Sequence, residues 1–238
     1  MIYCGILAAG LGVRMHRQDL PKPFLPLGSK PIIIHTLEQF LINPKVDSII
    51  VVVAGTWRAY AGDLMKKHNI VGKEIVVIAG GESKTESVSM VLKHLKKESG
   101  IIDGDLLITH DAVRPFVTQR MIDENIEVAH AYGAATTVMT TNDTIIVSED
   151  GISMREVPRK FHMYAEQTPQ TYDLRVLSAL FERAAGEDVD LAKETDLARL
   201  FLRYGGEMRL VSGEYSNMKI INPYDLEIAN ALLVERSK

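Results

Sequence analysis

Residues 7–24 read Leu-Ala-Ala-Gly-Leu-Gly-Val-Arg-Met-His-Arg-Gln-Asp-Leu-Pro-Lys-Pro-Phe, and the rest of the sequence is best interpreted outward from this stretch. The apolar run that leads into it is typical of a buried strand. The chain then turns through Gly10 and Gly12, where missing side chains allow backbone N–H groups to approach a ligand closely. Two cations, Arg14 and Lys22, follow shortly afterwards. Backbone donors combined with two positive charges suit a polyphosphate ligand.

The glycine turn by itself does not identify a ligand. A lone Gly-x-Gly is a weak signal, and an ordinary strand-to-helix turn would also use it, so both interpretations stay open. Two familiar phosphate-binding loops fit poorly. A Walker A loop would continue with Lys and Ser/Thr, whereas Val13 and Arg14 follow Gly12. A dinucleotide-binding loop would need a small residue where Met15 stands.

Composition limits the class of protein. The chain has 238 residues, 46% hydrophobic and 24% charged, so we expect residues 1–238 to form one large α/β domain. The net charge of −4 argues against a nucleic-acid partner. The only cysteine is Cys4, which excludes a disulfide within the chain and favours a reducing compartment. No apolar stretch approaches the ~20 residues that cross a bilayer, and no secretory leader precedes the first strand. We therefore expect a cytoplasmic protein without a membrane partner.

Apolar runs alternate with segments of helical spacing over the first half of the chain. This order predicts an α/β fold, a mostly parallel sheet with flanking helices and right-handed crossovers. The predicted strands are Ile2–Ala8, Asp47–Val53, Glu74–Ile78 and Asp105–His110, and the predicted helices cover Pro31–Phe40, Trp57–His68, a segment that begins at Lys84, and a segment with Thr118 as its N-cap.

The alternation breaks after Met139. Two β-prone runs, Asp143–Val147 and Ile152–Val157, surround the turn signal Glu149-Asp150-Gly151 and predict a hairpin. We expect it to project from the core as a β-arm at about residues 141–160. The remaining segments predict helices around Leu177–Ala184, over Thr195–Arg203 and around Leu226–Leu233, with short strands at Met208–Val211 and Met218–Ile221.

Three predicted strands end in residues that suit a ligand. In open parallel sheets, ligands bind beyond the carboxyl ends of the strands. We therefore expect one shared crevice to contain the groups that end the first, third and fourth strands, which are Gly10 with Gly12, Gly80 with Gly81, and His110 with Asp111.

Several separated motifs together resemble a known family. The motif Ala8-Ala9-Gly10-x-Gly12-x-Arg14-Met15 with Pro21-Lys22-x-Phe24 is similar to the signature of sugar-phosphate nucleotidyltransferases. The resemblance narrows to cytidylyltransferases that act on alditol phosphates, and it implies a Rossmann-like nucleotidyltransferase fold. The motifs that point to this narrower family are His110-Asp111-Ala112-Val113-Arg114-Pro115, Gln167-Thr168-Pro169-Gln170 and Asn217-Met218-Lys219.

Two branches of this family compete, and they differ in the acceptor. Val113, the stretch 157–164 and the stretch 213–217 resemble the ribitol-phosphate cytidylyltransferases of teichoic-acid biosynthesis. Ala9 leans towards the methylerythritol-phosphate cytidylyltransferases of isoprenoid biosynthesis. On balance the sequence favours D-ribitol 5-phosphate, which would give CDP-ribitol, with 2-C-methyl-D-erythritol 4-phosphate as the alternative.

The resemblance implies transfer of CMP from CTP to a phosphate monoester with release of pyrophosphate. A phosphate monoester is already largely anionic at neutral pH, because its second pKa is near ~6, so no general base is needed. Catalysis should depend on positioning and on fixed charge. The resemblance assigns catalysis to Arg14, Lys22 and Lys219, and Mg²⁺ binding to Asp111.

The resemblance also implies the binding residues. The resemblance places the cytosine base at Gly81, Glu82 and Ser87. The whole nucleotide-binding set is Leu7, Ala8, Ala9, Gly10, Gly12, Gly81, Glu82, Ser87, Asp111 and Ala112. The acceptor-binding set is Arg114, Thr144, Arg159, Thr195 and Lys219. Thr144 and Arg159 belong to the arm, which in the family crosses to a partner subunit, so a homodimer is expected.

Simpler roles stay possible for single residues. Asp111 could cap a turn, and Arg114 could be a structural ion-pair partner. A dinucleotide-dependent oxidoreductase is opposed by Met15 and by the absence of an acidic residue after the second strand. A silent nucleotide-binding module would have little use for Arg14, Lys22, Asp111 and Lys219 together.

Overall fold

The computed structural model describes residues 1–10 and 20–236, so Leu11–Asp19, with Gly12 and Arg14, lies outside the described residues. The strands are β1 (Ile2–Ala8), β2 (Pro26–Leu27), β3 (Lys30–Pro31), β4 (Ser48–Val53), β5 (Glu74–Ala79), β6 (Leu106–Asp111), β7 (Ala134–Thr140), β8 (Tyr164–Asp173) and β9 (Arg209–Ser212). The α-helices are α1 (Ile32–Leu41), α2 (Arg58–Lys67), α3 (Lys84–Glu98), α4 (Gln119–Tyr132), α5 (Leu174–Gly186), α6 (Leu197–Arg203) and α7 (Pro223–Arg236).

Seven of the described strands form one sheet, in the order β5-β4-β1-β6-β8-β7-β9. Strand β8 is antiparallel to both of its neighbours, and the other pairs are parallel. From β1 the chain moves outward through β4 to β5 and then returns to the other side of β1 as β6. The order therefore reverses between β1 and β6, and such a switch point is where open α/β sheets bind ligands. The predicted mostly parallel sheet with flanking helices is confirmed.

Helices cover both faces of the sheet because its central strands are apolar on both sides. In β4 every residue is buried; Ile49, Val51 and Val53 face a core formed with α1, α2 and α4, whereas Ile50 and Val52 face a second core formed with α3, α5 and α6. Continuous apolar runs of this kind are typical of strands that are covered twice. None of the helices in the described ranges is both long and apolar enough to cross a membrane.

Strands β7 and β8 are the part of the sheet that the hydrophobic pattern does not predict. The side chains that β8 buries are mainly polar, among them Gln167, Thr168 and Gln170, and Pro169 interrupts its ladder. The register between β7 and β8 shifts between Thr136 and Val138. A strand built this way has neither the alternation nor the β-branched content by which strands are recognised.

Two further predictions about strands differ from the structure. Met218–Ile221 is not a strand; among the described residues its one backbone-to-backbone hydrogen bond to the rest of the fold runs from the Ile220 N–H to the Val113 carbonyl oxygen (2.9 Å). The predicted arm contains the expected turn, which Asp150 stabilises by accepting the N–H bonds of Ile152 and Ser153. Its two runs, however, are joined by a single bridge between Val147 and Glu156 rather than by two strands.

Candidate active site

A pocket of about 290 Å³ opens at the carboxyl ends of β1, β5 and β6. It lies at the switch point between β1 and β6, where the sheet order predicts a ligand site. Its lining consists of Leu7, Ala8, Ala9, Gly10, Lys22, Pro23, Gly81, Glu82, Ser83, Lys84, Ser87, Asp111, Val113, Thr195 and Lys219. Members of all three predicted strand-end groups therefore meet in one crevice.

Most of the described residues that the sequence nominated line this pocket. They are Leu7, Ala8, Ala9, Gly10, Lys22, Gly81, Glu82, Ser87, Asp111, Thr195 and Lys219. Gly12 and Arg14 are outside the described residues, so their roles stay predictions. Ala112, Arg114, Thr144 and Arg159 do not line the pocket.

Asp111 is the buried carboxylate of the pocket. Its Oδ2 lies 3.2 Å from Arg114 Nε and 3.2 Å from Lys219 Nζ. Burial raises the pKa of this carboxyl, but the charges of Lys84, Lys219 and Arg114 outweigh burial and hold the pKa well below its usual range. Asp111 is therefore ionised at neutral pH and is surrounded by cations.

A buried network fixes the backbone that carries Asp111. The His110 Nε2 lies 3.0 Å from the Arg114 carbonyl oxygen, which can only accept, so Nε2 carries the proton. Nδ1 then accepts from the Thr168 hydroxyl (3.0 Å), and the same hydroxyl oxygen accepts the Asp111 N–H (3.1 Å). Burial lowers the pKa of His110 to about 4, so the ring is neutral. His110 thus lies behind the pocket as a positioning residue.

Asn217 connects the other two motifs to this network. Its amide nitrogen donates to Gln167 Oε1 (3.0 Å) and to the Thr168 carbonyl oxygen (2.8 Å). The backbone carbonyl oxygen of Asn217 accepts from Arg114 Nη1 (2.9 Å). The segment of Asn217 continues directly into Lys219, so these bonds place that cation beside Asp111.

The contacts of Arg114 include a structural ion pair, and its predicted role in acceptor binding stays a prediction. Its side chain is buried, pairs with Asp111 and holds the Asn217 carbonyl oxygen. The geometry favours the structural ion pair, which was the alternative. The backbone of Ala112 is held by two bonds, since its N–H donates to the Leu7 carbonyl oxygen (3.0 Å) and its carbonyl oxygen accepts from Thr36 (2.8 Å); its predicted nucleotide contact stays a prediction.

The turn after β5 is held by side chains of α3. The Gly81 N–H donates to Ser87 Oγ (3.2 Å), and the Glu82 N–H donates to Glu86 Oε2 (2.7 Å). A Cβ at Gly81 would lie 2.4 Å from the Glu86 side chain, so a larger residue there would displace the carboxylate that accepts the Glu82 N–H. Ser83 caps α3 by accepting the Glu86 N–H (2.9 Å).

Lys22 begins a short 3₁₀ turn, Lys22–Phe24, that returns the chain to the pocket. Phe24 anchors the turn by packing against Trp57 and Tyr60, with ring centroids 5.7 and 5.1 Å apart. The Lys22 ammonium lies 3.4 Å from the Ile221 carbonyl oxygen, close to the segment of Lys219. The two predicted catalytic lysines therefore approach the pocket from different parts of the chain.

The arm residues Thr144 and Arg159 are exposed and do not reach the pocket of their own chain. Sequence reasoning also missed four lining residues, namely Pro23, Ser83, Lys84 and Val113. Of these four, Lys84 carries a charge that could bind an anion. Its position directly after the glycine turn, at the start of a helix, could have indicated this from the sequence.

The carboxylate of Asp111 suits a divalent ion in part. Among the described residues no cluster of three His, Cys, Asp or Glu side chains could hold a metal by itself. Mg²⁺, however, commonly takes one or two carboxylates and completes its shell with phosphate oxygens and water. In the described part of the chain both ion pairs of Asp111 involve Oδ2, so one anionic oxygen stays available for an ion that arrives with a nucleotide.

Comparison with known proteins gives a uniform result. The model of the family "IspD: 2-C-methyl-D-erythritol 4-phosphate cytidylyltransferase" matches residues 2–235. A solved 4-diphosphocytidyl-2C-methyl-D-erythritol synthase from Anaerococcus prevotii is 26% identical, with a TM-score of 0.82 over 98% of this chain and 96% of that one. The 2-C-methyl-D-erythritol 4-phosphate cytidylyltransferase of Francisella tularensis is 27% identical, with a TM-score of 0.77 over 97% and 98% of the two chains. That of Thermus thermophilus is 25% identical, with a TM-score of 0.73 over 98% of each.

Proposed function

This chain belongs to the IspD (2-C-methyl-D-erythritol 4-phosphate cytidylyltransferase) family and is a CTP-dependent nucleotidyltransferase, and from that premise we propose that its acceptor is 2-C-methyl-D-erythritol 4-phosphate. The product would be the CDP derivative of that alditol, formed for isoprenoid biosynthesis. The observation that carries the proposal is the match of the family model over residues 2–235.

The comparisons favour this acceptor over the D-ribitol 5-phosphate that the sequence motifs favoured. Of the features that resembled the ribitol branch, Val113 lines the pocket, whereas the stretches 157–164 and 213–217 do not. Within 213–217, Asn217 is committed to the buried network, and Tyr215 bonds Asn142 Nδ2 through its hydroxyl (2.6 Å). The stretch 213–217 therefore carries little weight for the choice of acceptor. Location in the cytoplasm stays part of the proposal.

The proposed reaction needs two anions to meet. An oxygen of the acceptor phosphate attacks the α-phosphorus of CTP, the bond from that phosphorus to the β-bridging oxygen breaks, and pyrophosphate leaves with the electron pair. The attacking oxygen is already anionic at neutral pH, so no side chain has to remove a proton. Lys22 and Lys219 lower the cost of bringing the anions together and stabilise charge on the transferring group. Arg14 is proposed to assist from the loop.

Asp111 is proposed to hold Mg²⁺ together with phosphate oxygens of CTP. The ion would supply charge stabilisation for the α-phosphate and the leaving pyrophosphate. The buried His110–Thr168 network keeps the Asp111 backbone in place while ligands exchange.

The second part of the proposal is a homodimer that shares its sites through the arm, at about residues 141–160. Its apolar Ile152 side chain is 91% exposed, and Phe161, which directly follows the arm, is 79% exposed. An isolated hairpin is marginal in water, and a twofold-related copy is the simplest cover for it. Thr144 and Arg159 would then contact the acceptor in the partner's pocket.

Mixing inactive chains tests the shared site. Lys22→Ala damages a chain's own pocket, and Arg159→Ala would damage the partner's. After subunit exchange, a heterodimer of the two variants should hold one intact site and recover some activity. Confirmed exchange without recovery would refute the shared site.

The acceptor is tested by steady-state kinetics of pyrophosphate release. With CTP and Mg²⁺ fixed, kcat/KM should be higher for 2-C-methyl-D-erythritol 4-phosphate than for D-ribitol 5-phosphate. Both acceptors are flexible monophosphates, so discrimination must come from polar groups that one of them leaves unpaired. A higher kcat/KM for ribitol 5-phosphate would reverse the assignment.

A further inference from the structure

We propose that Lys84 is a substrate-contacting cation of the pocket and that it binds the α-phosphate of CTP. Lys84 is the first residue of α3 and lines the pocket together with Asp111 and Lys219. The inference rests on the proposed function only in that CTP is the ligand; it does not depend on the acceptor.

The ammonium of Lys84 is held by a chain of buried or bridging polar groups. Its Nζ donates to Gln170 Oε1 (2.9 Å). Gln170 is fully buried, and its Nε2 donates to Glu166 Oε1 (2.7 Å). The carboxylate can only accept, so the amide nitrogen must face Glu166 and the amide oxygen must face Lys84. The glutamine amide therefore cannot flip without losing both bonds, and the Lys84 ammonium has a hydrogen-bond acceptor in a fixed orientation.

The charge of Lys84 differs from that of its neighbours in not being paired with a carboxylate. Lys219 and Arg114 form ion pairs with Asp111. Within the described residues Lys84 forms no ion pair, and its hydrogen-bond partner is a neutral amide. Its partner Gln170 pairs across the sheet with Thr109 of β6, two residues before Asp111. Lys84 therefore presents an unneutralised charge beside the strand that carries the carboxylate.

The position of Lys84 in the pocket indicates which phosphate of CTP it contacts. Lys84 follows the Gly81–Glu82 turn, where the base is expected, by two residues, and its ammonium bonds Gln170 beside the strand that ends at Asp111, where the phosphates and Mg²⁺ are expected. The first phosphate of a nucleotide lies between these two positions. A lysine acts there as a point charge, without the fixed fork of an arginine.

A ligand series measured by titration calorimetry tests the contact. Lys84→Gln removes the charge but keeps a polar side chain, and it should weaken CMP and CTP by about 10-fold or more, because a hydrogen bond between charged groups is lost. Cytidine, which has no phosphate, should bind Lys84→Gln and the wild type equally. Lys84→Arg should restore most of the affinity. The matched control is Lys93→Gln, which removes the same charge from an exposed position on the same helix and should change nothing.

Repeating the CMP titration in EDTA separates direct contact from an effect through the Asp111 metal site. Direct contact predicts that the loss persists without a divalent ion. Equal weakening of cytidine, unchanged CMP binding, or a loss seen only with Mg²⁺ would each overturn the proposal. No acceptor is present in these titrations, so a wrong acceptor assignment would appear only in the turnover assay.

Discussion

Replacing Thr168 with valine should destabilise the protein through a loss that can be traced atom by atom. In the wild type the Thr168 hydroxyl donates to His110 Nδ1 and accepts the Asp111 N–H. Valine has nearly the same shape and can do neither. The His110 ring cannot compensate by moving its proton to Nδ1, because Nε2 would then face the Arg114 carbonyl oxygen without a proton.

The expected magnitude follows from the two groups that are left unpaired. His110, Asp111 and Thr168 are all buried, and each buried polar group without a partner costs about 1–3 kcal/mol. The sum for the two groups is about 2–6 kcal/mol of unfolding free energy. For a chain of this length such a loss lowers Tm by roughly 4–24 °C.

Urea denaturation measures this free energy, with Thr168→Ser as the matched control because serine keeps the hydroxyl. The serine variant should lose only the packing of one methyl group, about 1 kcal/mol. If valine and serine variants had the same stability, the hydroxyl bridge would not stabilise the site as described.

The other predictions concern the protonation of His110, the metal-binding role of Asp111 and the catalytic role of Lys22. Burial lowers the pKa of His110 to about 4 from an unfolded value near 6.5; since the unfolded chain binds the proton more readily, stability should fall by about 3 kcal/mol as pH decreases from 6.5 to 4. His110→Gln should flatten that part of the pH profile, and an unchanged profile would contradict the assigned cause. Asp111→Asn should keep the fold but reduce turnover by about 10²-fold or more, and full wild-type turnover in excess EDTA would remove the metal role. Lys22→Ala should lower kcat far more than it raises the apparent KM for CTP; a change in KM alone would reduce Lys22 to a docking residue.

The part of the sheet formed by β5, β4, β1 and β6 was predictable because its strands are mostly continuous apolar runs. Ser48–Val53 and Glu74–Ala79 differ from the predicted bounds by one residue at most. The crevice was predictable for the same reason, because parallel strands bring their carboxyl ends to one edge. The sequence pattern was therefore sufficient to predict where the pocket lies in the fold.

Hydrophobic patterning missed β8 because that strand stabilises the fold through polar groups. Its Gln167-Thr168-Pro169-Gln170 motif was recognised by resemblance, yet its role as the support of Asp111 depends on hydrogen bonds across the sheet. The sequence also could not show which cations pair with Asp111. Arg114 forms an ion pair with Asp111 and bonds the Asn217 carbonyl oxygen, whereas Lys84 bonds the neutral amide of Gln170, and only the geometry distinguishes these contacts.

A crystal structure of the protein with CTP and Mg²⁺ tests the central claim most directly, namely that the crevice between β1 and β6 is the nucleotide site. The cytosine should lie against the Gly81–Glu82 turn, and the α-phosphate oxygens should lie within hydrogen-bonding distance, about 3 Å, of Lys22 or Lys84. Nucleotide bound elsewhere on the chain, or phosphates directed away from these lysines and Asp111, would contradict it.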